Sequence, residues 1–236
     1  MQQNIPPVIL MVAMDKEFSA IAPYTELLQQ KENSPFAIYE ALISQRRVVI
    51  ALSGIGKANA AMATAEAIRL YPHSLCIVNV GVSGGLLPNC SVGDCLVGSK
   101  FMYHDVWCGE GNALGQVQGL PVFFSAHEAL LSVAHQLSSV SNDTVKFGSF
   151  CCGDTFIPSP SVLNNFSDCC AVDMESAAIA QACHLYQKPM IALRIVSDTP
   201  LTAQNHSEQY RLFWSNNPHK AFAPLVEFLK LLPIEL

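Results

Sequence analysis

Charged residues are scarce in this sequence, and basic residues are never clustered. Asp, Glu, Lys and Arg make up 14% of the 236 residues, the formal net charge is -6, and no basic run is longer than Arg46 and Arg47. Proteins bind nucleic acids mainly through basic patches that contact phosphates. The composition therefore argues against a polyanion partner, and we expect no nucleic acid to be bound.

Long hydrophobic runs are also missing. The first apolar stretch, residues 8–13, is six residues long and follows no basic segment. A membrane span needs about 20 apolar residues, and a secretory signal needs a basic start and a longer apolar region. We therefore expect no membrane partner and a cytoplasmic protein.

Cysteine is plentiful, but the spacings that mark disulfide scaffolds and zinc sites are absent. The nine cysteines are odd in number, none falls in a C-x-x-C pair, and two pairs are adjacent, at 151–152 and 169–170. Cys183 and His184 are neighbours that would face different sides of a helix, which does not suit a metal site. The sequence predicts small buried thiols in a reducing compartment and no metal site.

Short apolar runs alternate with longer amphipathic segments, as in a sheet with helices on both faces. No linker, repeat or low-complexity segment interrupts residues 1–236, so we predict one α/β domain. The pattern predicts strands at 8–13, 36–42, 47–52, 75–80, 95–101, 145–150, 170–174 and 189–196. It predicts helices at 57–70, at 126–137, from Glu175 onward and at about 207–232, the last interrupted at Pro218.

Two further segments complete this prediction. A cap at Asp15 and a stripe of apolar residues predict a first helix that reaches Leu27 and Leu28. Residues 103–119 contain four glycines and a tryptophan, which predicts a loop at the surface or at an interface.

Three acidic residues follow predicted strands: Glu17, Glu175 and Asp198. Ligands of open α/β sheets bind in the crevice at the carboxyl ends of the strands, where three converging carboxylates would make an acid/base site. Each residue also has a structural explanation, since Glu17 and Glu175 suit the first turn of a helix and Asp198 suits a turn. The glycine-rich turns 53–57 and 81–85 would let the backbone approach a ligand, but the first lacks phosphate-loop spacing.

Eight short motifs along the chain match the motifs of a known enzyme family. In order along the chain these are VAMDKE (12–17), SGIGK (53–57), NVGVSGGL (79–86), VGD (92–94), YHD (103–105), GDTFI (153–157), VDMESAA (172–178) and RIVSD (194–198). In these motifs the chain resembles the 5′-methylthioadenosine/S-adenosylhomocysteine nucleosidases of the nucleoside phosphorylase superfamily. The resemblance implies a single-domain three-layer sandwich with a central mixed, twisted sheet flanked by helices. It also implies a cofactor-free homodimer that serves methionine salvage.

The resemblance also implies roles for individual residues. Cleavage of the bond between adenine and ribose needs a proton for the leaving base, and the family pattern assigns that proton to Asp198. Glu17 matches the carboxylate that activates water, Glu175 the residue that binds the ribose hydroxyls, and Arg194 a residue near the water. The implied catalytic and substrate-binding residues are Glu17, Asp198, Glu175 and Arg194, together with Met174, Asp173, Phe156, Ile157, Val82, Gly84, Ser197 and Phe213.

The sequence favours hydrolysis over phosphorolysis. Phosphorylases of this superfamily hold phosphate with arginines, one of them just before the glycine turn, where this chain has Asn79. After the first strand the chain offers Asp15, Lys16 and Glu17 in place of an arginine. A carboxylate repels phosphate and suits water as the nucleophile.

Two departures from the family pattern leave alternatives open. Val82 replaces a serine near the expected water position, unless Ser83 substitutes for it, and Asp173 stands where the family often has glutamate. A futalosine-type nucleosidase, a purine nucleoside phosphorylase and a non-catalytic nucleoside-binding protein therefore remain alternatives. Candidates for the pocket that holds the 5′ substituent are three aromatic residues on the last helical segment, Tyr210, Phe213 and Trp214. Residues around Trp107 of a second subunit are further candidates.

Overall fold

The computed structural model describes residues 5–139, 145–157, 160–201 and 205–236. These ranges contain ten strands, all in one sheet, and six α-helices. The strands are β1 Val8–Val12, β2 Thr25–Gln30, β3 Ala37–Ile43, β4 Arg46–Leu52, β5 Ile77–Gly85, β6 Cys95–Tyr103, β7 Phe124–Ser125, β8 Val145–Cys152, β9 Cys169–Asp173 and β10 Met190–Asp198. The helices are α1 Asp15–Ile21, α2 Lys57–Leu70, α3 Glu128–His135, α4 Ser176–Tyr186, α5 His206–Ser215 and α6 Ala223–Leu231.

The sheet is mixed, as predicted, and one part of it closes on itself. Strand β5 is parallel to β1 and β10 and antiparallel to β9. Strand β10 continues through β6 and β8 back to β9, so β5, β10, β6, β8 and β9 form a closed ring. The remaining path, β1-β4-β3-β2, extends from β5 as an open wing. Closure removes free edges from the ring.

Strands β5 and β10 form the centre of the molecule because they are apolar enough to be covered on both faces. Every residue of both strands is buried. Parallel strands buried on two sides are rich in apolar residues throughout, rather than alternating in polarity. Polar residues also occur within these strands, among them Asn79 in β5 and Arg194 in β10, and their burial requires partners.

Most of the predicted elements are confirmed, and α2 has the predicted bounds. The predicted extension of the first helix to Leu27 and Leu28 is wrong. Helix α1 ends at Ile21, the chain continues in a 3-10 turn containing Pro23, and both leucines lie exposed in β2. Proline lacks the N–H that a helix interior needs, which explains the stop.

The cap of α1 also differs from the prediction. Met14 is the N-cap, Asp15 is the first helical residue, and the Glu17 carboxylate accepts the Met14 N–H. Strand β2 was not predicted as a strand, and two further elements were not predicted at all: the two-residue strand β7 and the 3-10 helix Pro160–Phe166. All nine cysteines are free thiols, and seven of them are buried. Within the described residues no helix is both long and apolar enough to cross a membrane.

Candidate active site

The carboxyl ends of β1, β5 and β10 meet at a cavity of about 330 Å³. This volume is at the lower end of the range typical of small-molecule sites, roughly 300–1,000 Å³. Glu17, Glu175 and Asp198 all line the cavity, and all three are buried. The structure therefore brings together the three acids that sequence reasoning could only place at separate strand ends.

A single buried guanidinium connects the carboxylates on one side of the cavity. Arg194 Nη2 donates to Glu175 Oε2 at 2.8 Å, and Nη1 contacts Glu17 Oε1 at 3.4 Å. Its Nε lies 3.0 Å from Asp173 Oδ2 in an ion pair without hydrogen-bond geometry. One positive charge thus faces three carboxyl groups, and the balance of these fixed charges is negative.

Glu17 is held by the backbone at both of its oxygens. Oε2 accepts N–H groups from Ala13 at 2.9 Å and Met14 at 3.0 Å, while Oε1 accepts the Val82 N–H at 2.8 Å. Burial raises the pKa of Glu17 above its ordinary value, and Arg194 and these backbone donors only partly offset the effect. The carboxyl group is fixed in place and binds a proton more tightly than an exposed glutamate.

The Glu17 carboxylate and the Arg194 guanidinium occupy the space above Gly81. A methyl group built on Gly81 would lie 2.2 Å from Arg194 Nη1 and 2.2 Å from Glu17 Oε1. Only a residue without a side chain allows both groups to approach the backbone here. Residues 81–85, which the sequence predicted as a turn, belong to β5 instead, and Gly81 serves the packing of the site.

Glu175 spans the gap between α2 and Arg194. Its Oε1 accepts the Gly56 N–H at 3.0 Å, and its Oε2 accepts from Arg194. Burial, together with the nearby Asp173 and Glu17 carboxylates, raises the pKa of Glu175 to about 7, although Arg194 opposes the shift. Glu175 therefore binds a proton more tightly than an exposed glutamate does.

Asp173 has both carboxylate oxygens engaged at the start of α4. Oδ1 accepts the N–H groups of Glu175 at 3.2 Å and Ser176 at 3.0 Å, and Oδ2 accepts the Ser176 hydroxyl. Asn79 in turn donates to Ser176 Oγ at 2.8 Å. This network ties β5, β9 and α4 together behind the cavity, and it explains how an aspartate fits this position.

Asp198 lies at the end of β10 and is separate from the Arg194 cluster. The Ser197 hydroxyl donates to its Oδ1 at 2.7 Å, and His206 Nδ1 lies 3.2 Å from its Oδ2. Burial raises the pKa of Asp198 above its ordinary value, and these two contacts only partly offset the increase. The site therefore favours a neutral carboxylic acid, which can donate a proton, more than an exposed aspartate would.

An aromatic group forms another wall of the cavity. The rings of Phe156 and His206 are stacked with centroids 5.1 Å apart, and Tyr210 meets Phe156 edge-on at 5.8 Å. The Tyr210 hydroxyl contacts Met14 Sδ at 3.6 Å. An apolar wall with polar groups at its edge suits a flat, aromatic ligand.

Ten of the twelve predicted site residues line the cavity. The exceptions are Arg194, which lies behind Glu17 and Glu175, and Phe213, which is buried against Trp214. His206 lines the cavity and was not predicted, because its position depends on how α5 docks rather than on a local motif. Its only sequence signal is a histidine eight residues after Asp198.

Val82 stands where the family pattern has serine, but its side chain is not the group that holds Glu17. It is the backbone N–H of Val82 that donates to Glu17, and this group is present in every residue except proline. Ser83 also lines the cavity, and its buried hydroxyl has no hydrogen-bond partner among the described residues. A hydroxyl group is thus available one position further along β5. In the described ranges, no group of three His, Cys, Asp or Glu side chains could hold a metal ion.

Comparison with known proteins identifies the family. Residues 7–230 match the model of the Phosphorylase superfamily. The 5′-methylthioadenosine/S-adenosylhomocysteine nucleosidase of Staphylococcus haemolyticus is 34% identical over 191 residues, which cover 79% of this chain and 83% of that protein. The nucleosidase of the same name from Pseudoalteromonas translucida is 31% identical over 224 residues, covering 89% and 95%.

Solved structures agree with these relatives. The Neisseria meningitidis 5′-methylthioadenosine/S-adenosylhomocysteine nucleosidase, in complex with methylthio-immucillin-A, is similar with a TM-score of 0.88 and 32% identity. The similarity covers 96% of this chain and 99% of that chain. The chain therefore belongs to the phosphorylase superfamily and, within it, to the family of 5′-methylthioadenosine/S-adenosylhomocysteine nucleosidases.

Proposed function

We propose that this protein hydrolyses the N-glycosidic bond of 5′-methylthioadenosine and S-adenosylhomocysteine, releasing adenine and the 5′-thioribose. The bond between C1′ and N9 breaks, and a bond forms between C1′ and the oxygen of water. Asp198 gives its proton to N7 of the departing adenine, and Glu17 takes a proton from the attacking water. The observation that carries this proposal is the convergence of three buried carboxyl groups with raised pKa on one cavity.

The leaving-group side of the reaction belongs to Asp198. Negative charge develops on adenine as the bond breaks, and protonation of the base removes that charge. A positioned general acid contributes roughly 10²–10⁴-fold to the rate. Phe156 stacks on the base, the Ile157 backbone binds its edge, and Ser197 holds the acid in place.

The water side belongs to Glu17 and Arg194. Three backbone N–H groups fix the Glu17 carboxylate, so the base is positioned before substrate arrives. The Arg194 contact at 3.4 Å is the weakest of its interactions, and water can share that oxygen. Glu175 and Met174 bind the ribose, which carries positive charge in the transition state.

Charge decides between hydrolysis and phosphorolysis. Phosphate would enter a pocket in which one guanidinium already pairs with three carboxyl groups. Asn79, at the position where a phosphorylase has arginine, donates to Ser176 instead. Neither group is free to hold an anion, whereas neutral water meets no such repulsion.

A homodimer is the form in which we propose that the enzyme acts. A groove of about 430 Å³ runs along α2 and α4, which pack against each other, and is lined mainly by apolar residues. Leu185 lines this groove and is 60% exposed, while Met62 of α2 and Trp107, which follows the groove residue Val106, are 62% and 66% exposed. Such clustering marks an interaction surface, and a second copy would bring its loop near Trp107 to the site. The free thiols support a reducing, cytoplasmic location.

The dimer is tested by size-exclusion chromatography with light scattering. We expect wild-type protein to have the mass of two chains and Leu185→Glu that of one chain, because a buried charge opposes association. Leu27→Glu is the matched control, at a leucine of the edge strand that is 52% exposed. A monomeric wild-type protein would refute the proposed assembly.

The activity is tested by adenine release from 5′-methylthioadenosine, with and without phosphate. S-adenosylhomocysteine, futalosine and inosine are measured beside it. We expect release from the first two substrates that does not depend on phosphate. Release only from futalosine, release only with phosphate, or tight binding without release would favour the corresponding alternative.

A further inference from the structure

His206, a side chain that this reaction does not use, lies directly against the proposed general acid. Its Nδ1 is 3.2 Å from Asp198 Oδ2, on the carboxylate oxygen that Ser197 does not contact. The ring also stacks on Phe156 with an angle of 19° between the planes. His206 is therefore fixed between the acid and the aromatic wall.

The position of His206 is built into the fold. It is the first residue of α5, and the preceding Asn205 caps the helix by accepting the Glu208 N–H. One turn later, Gln209 Oε1 accepts both the N–H and the hydroxyl of Thr199, at 2.9 and 3.1 Å. Because Thr199 follows Asp198, the start of α5 is tied to the end of β10.

Exposure increases stepwise from the acid outward. Asp198 is 3% exposed, the His206 side chain is 17% exposed, and Phe156 is 48% exposed. The approach to Asp198 from the cavity is the one that the purine base occupies during the reaction. The imidazole, which also lines the cavity, is thus nearer to solvent than the acid it contacts.

Each turnover leaves Asp198 without its proton, because the proton departs on adenine. The acid must be reloaded before it can act again, and histidine is the side chain best suited to carry protons near neutral pH. We propose that His206 reloads Asp198 during turnover. The protonated imidazole gives its Nδ1 proton to Asp198 Oδ2, and the ring then takes a replacement proton from solvent water.

This inference rests on the proposed function and makes His206 a positioning and proton-delivery residue. We therefore expect replacement of His206 to slow steady-state turnover more than it slows the first cleavage of the bond. In a single turnover, the acid has been loaded at equilibrium before substrate is added. In steady state, it must be reloaded each time.

Two variants separate proton delivery from structure. His206→Phe keeps a ring that can stack on Phe156 but cannot carry a proton, and His206→Ala leaves space for imidazole added to the buffer. His73→Ala, which removes an exposed histidine far from this contact in the sequence, controls for other effects of imidazole. Adenine release is measured with enzyme in excess and with substrate in excess.

We expect steady-state release to fall at least about tenfold in both His206 variants, with single-turnover release within about threefold of wild type. Imidazole should restore His206→Ala and leave His73→Ala unchanged. Wild-type steady-state release by His206→Phe, or equal losses in both regimes without rescue by imidazole, would overturn the inference. A wild-type protein that releases no adenine from any nucleoside would instead overturn the proposed function, and the inference with it.

Discussion

Replacement of Asp198 by asparagine separates catalysis from stability at a single position. The amide has the shape of the carboxyl group, its oxygen can still accept from Ser197, and its nitrogen can face His206 Nδ1. It has no proton to give at neutral pH. We therefore expect turnover to fall roughly 10²–10⁴-fold, equivalent to about 3–5 kcal/mol of lost transition-state stabilisation.

The stability of the Asp198→Asn variant should be equal to that of the wild type or higher, although its turnover falls. Burial raises the pKa of Asp198, so ionisation of this group at neutral pH costs more free energy in the folded protein than in the unfolded chain. Asparagine removes that cost without creating a cavity. The unfolding midpoint at pH 7 should be equal to that of wild type or higher, and nucleoside binding should persist.

The assay combines adenine release, calorimetric binding of 5′-methylthioadenosine and thermal unfolding. Asp168→Asn, at an exposed aspartate, is the matched control and should behave as wild type. Asp198→Asn protein that turns over within about threefold of wild type would refute the assignment of the acid. A large loss of stability would refute the account of its burial.

Two other predictions follow from the Arg194 cluster. Gly81→Ala should cost about 1–3 kcal/mol of unfolding free energy in chemical denaturation and abolish most adenine release, because the new methyl group clashes with Glu17 and Arg194. Val82→Ser keeps the N–H to Glu17 and should retain wild-type stability and adenine release. Equal behaviour of the two variants would contradict this packing. The pKa of Glu175 is raised from 4.5 to about 7, so the folded state holds this proton more tightly than the unfolded chain does. The free energy of unfolding should therefore fall by up to roughly 3 kcal/mol as pH rises from 4.5 to 7, and Glu175→Gln should flatten that slope; an unchanged slope in denaturation curves across this range would contradict it.

The sequence predicts those parts of the fold that depend on local pattern. Strands β5 and β10 contain long apolar runs, and α2 is rich in alanine, so neighbouring residues determine these elements. Strand β2 was missed because it is an exposed edge strand, defined by pairing with β3 rather than by its own composition. Closure of the ring likewise depends on pairings between strands far apart in sequence.

Some features of the site were likewise predictable from the sequence, and others were not. Glu17 and Asp198 are predictable because they lie after or at the ends of β1 and β10, and parallel strands bring their carboxyl ends to one edge of the sheet. Glu175 follows β9, and the antiparallel pairing of β9 with β5 that brings it to the same cavity is not encoded in a local pattern. The charge balance around Arg194 was not predictable, since it depends on side-chain distances between strand ends that are remote in the chain. His206 depends on docking of α5 through Gln209, which no motif in the sequence encodes.

The central claim is that water, activated at Glu17, attacks the ribose while Asp198 protonates the base. The most direct test is to run the reaction with 5′-methylthioadenosine in ¹⁸O-labelled water containing phosphate, and to analyse the sugar product by mass spectrometry. The account predicts one labelled oxygen in free methylthioribose and no sugar phosphate. Formation of methylthioribose 1-phosphate would contradict it. So would the absence of any sugar product when a control nucleosidase cleaves the same substrate under the same conditions.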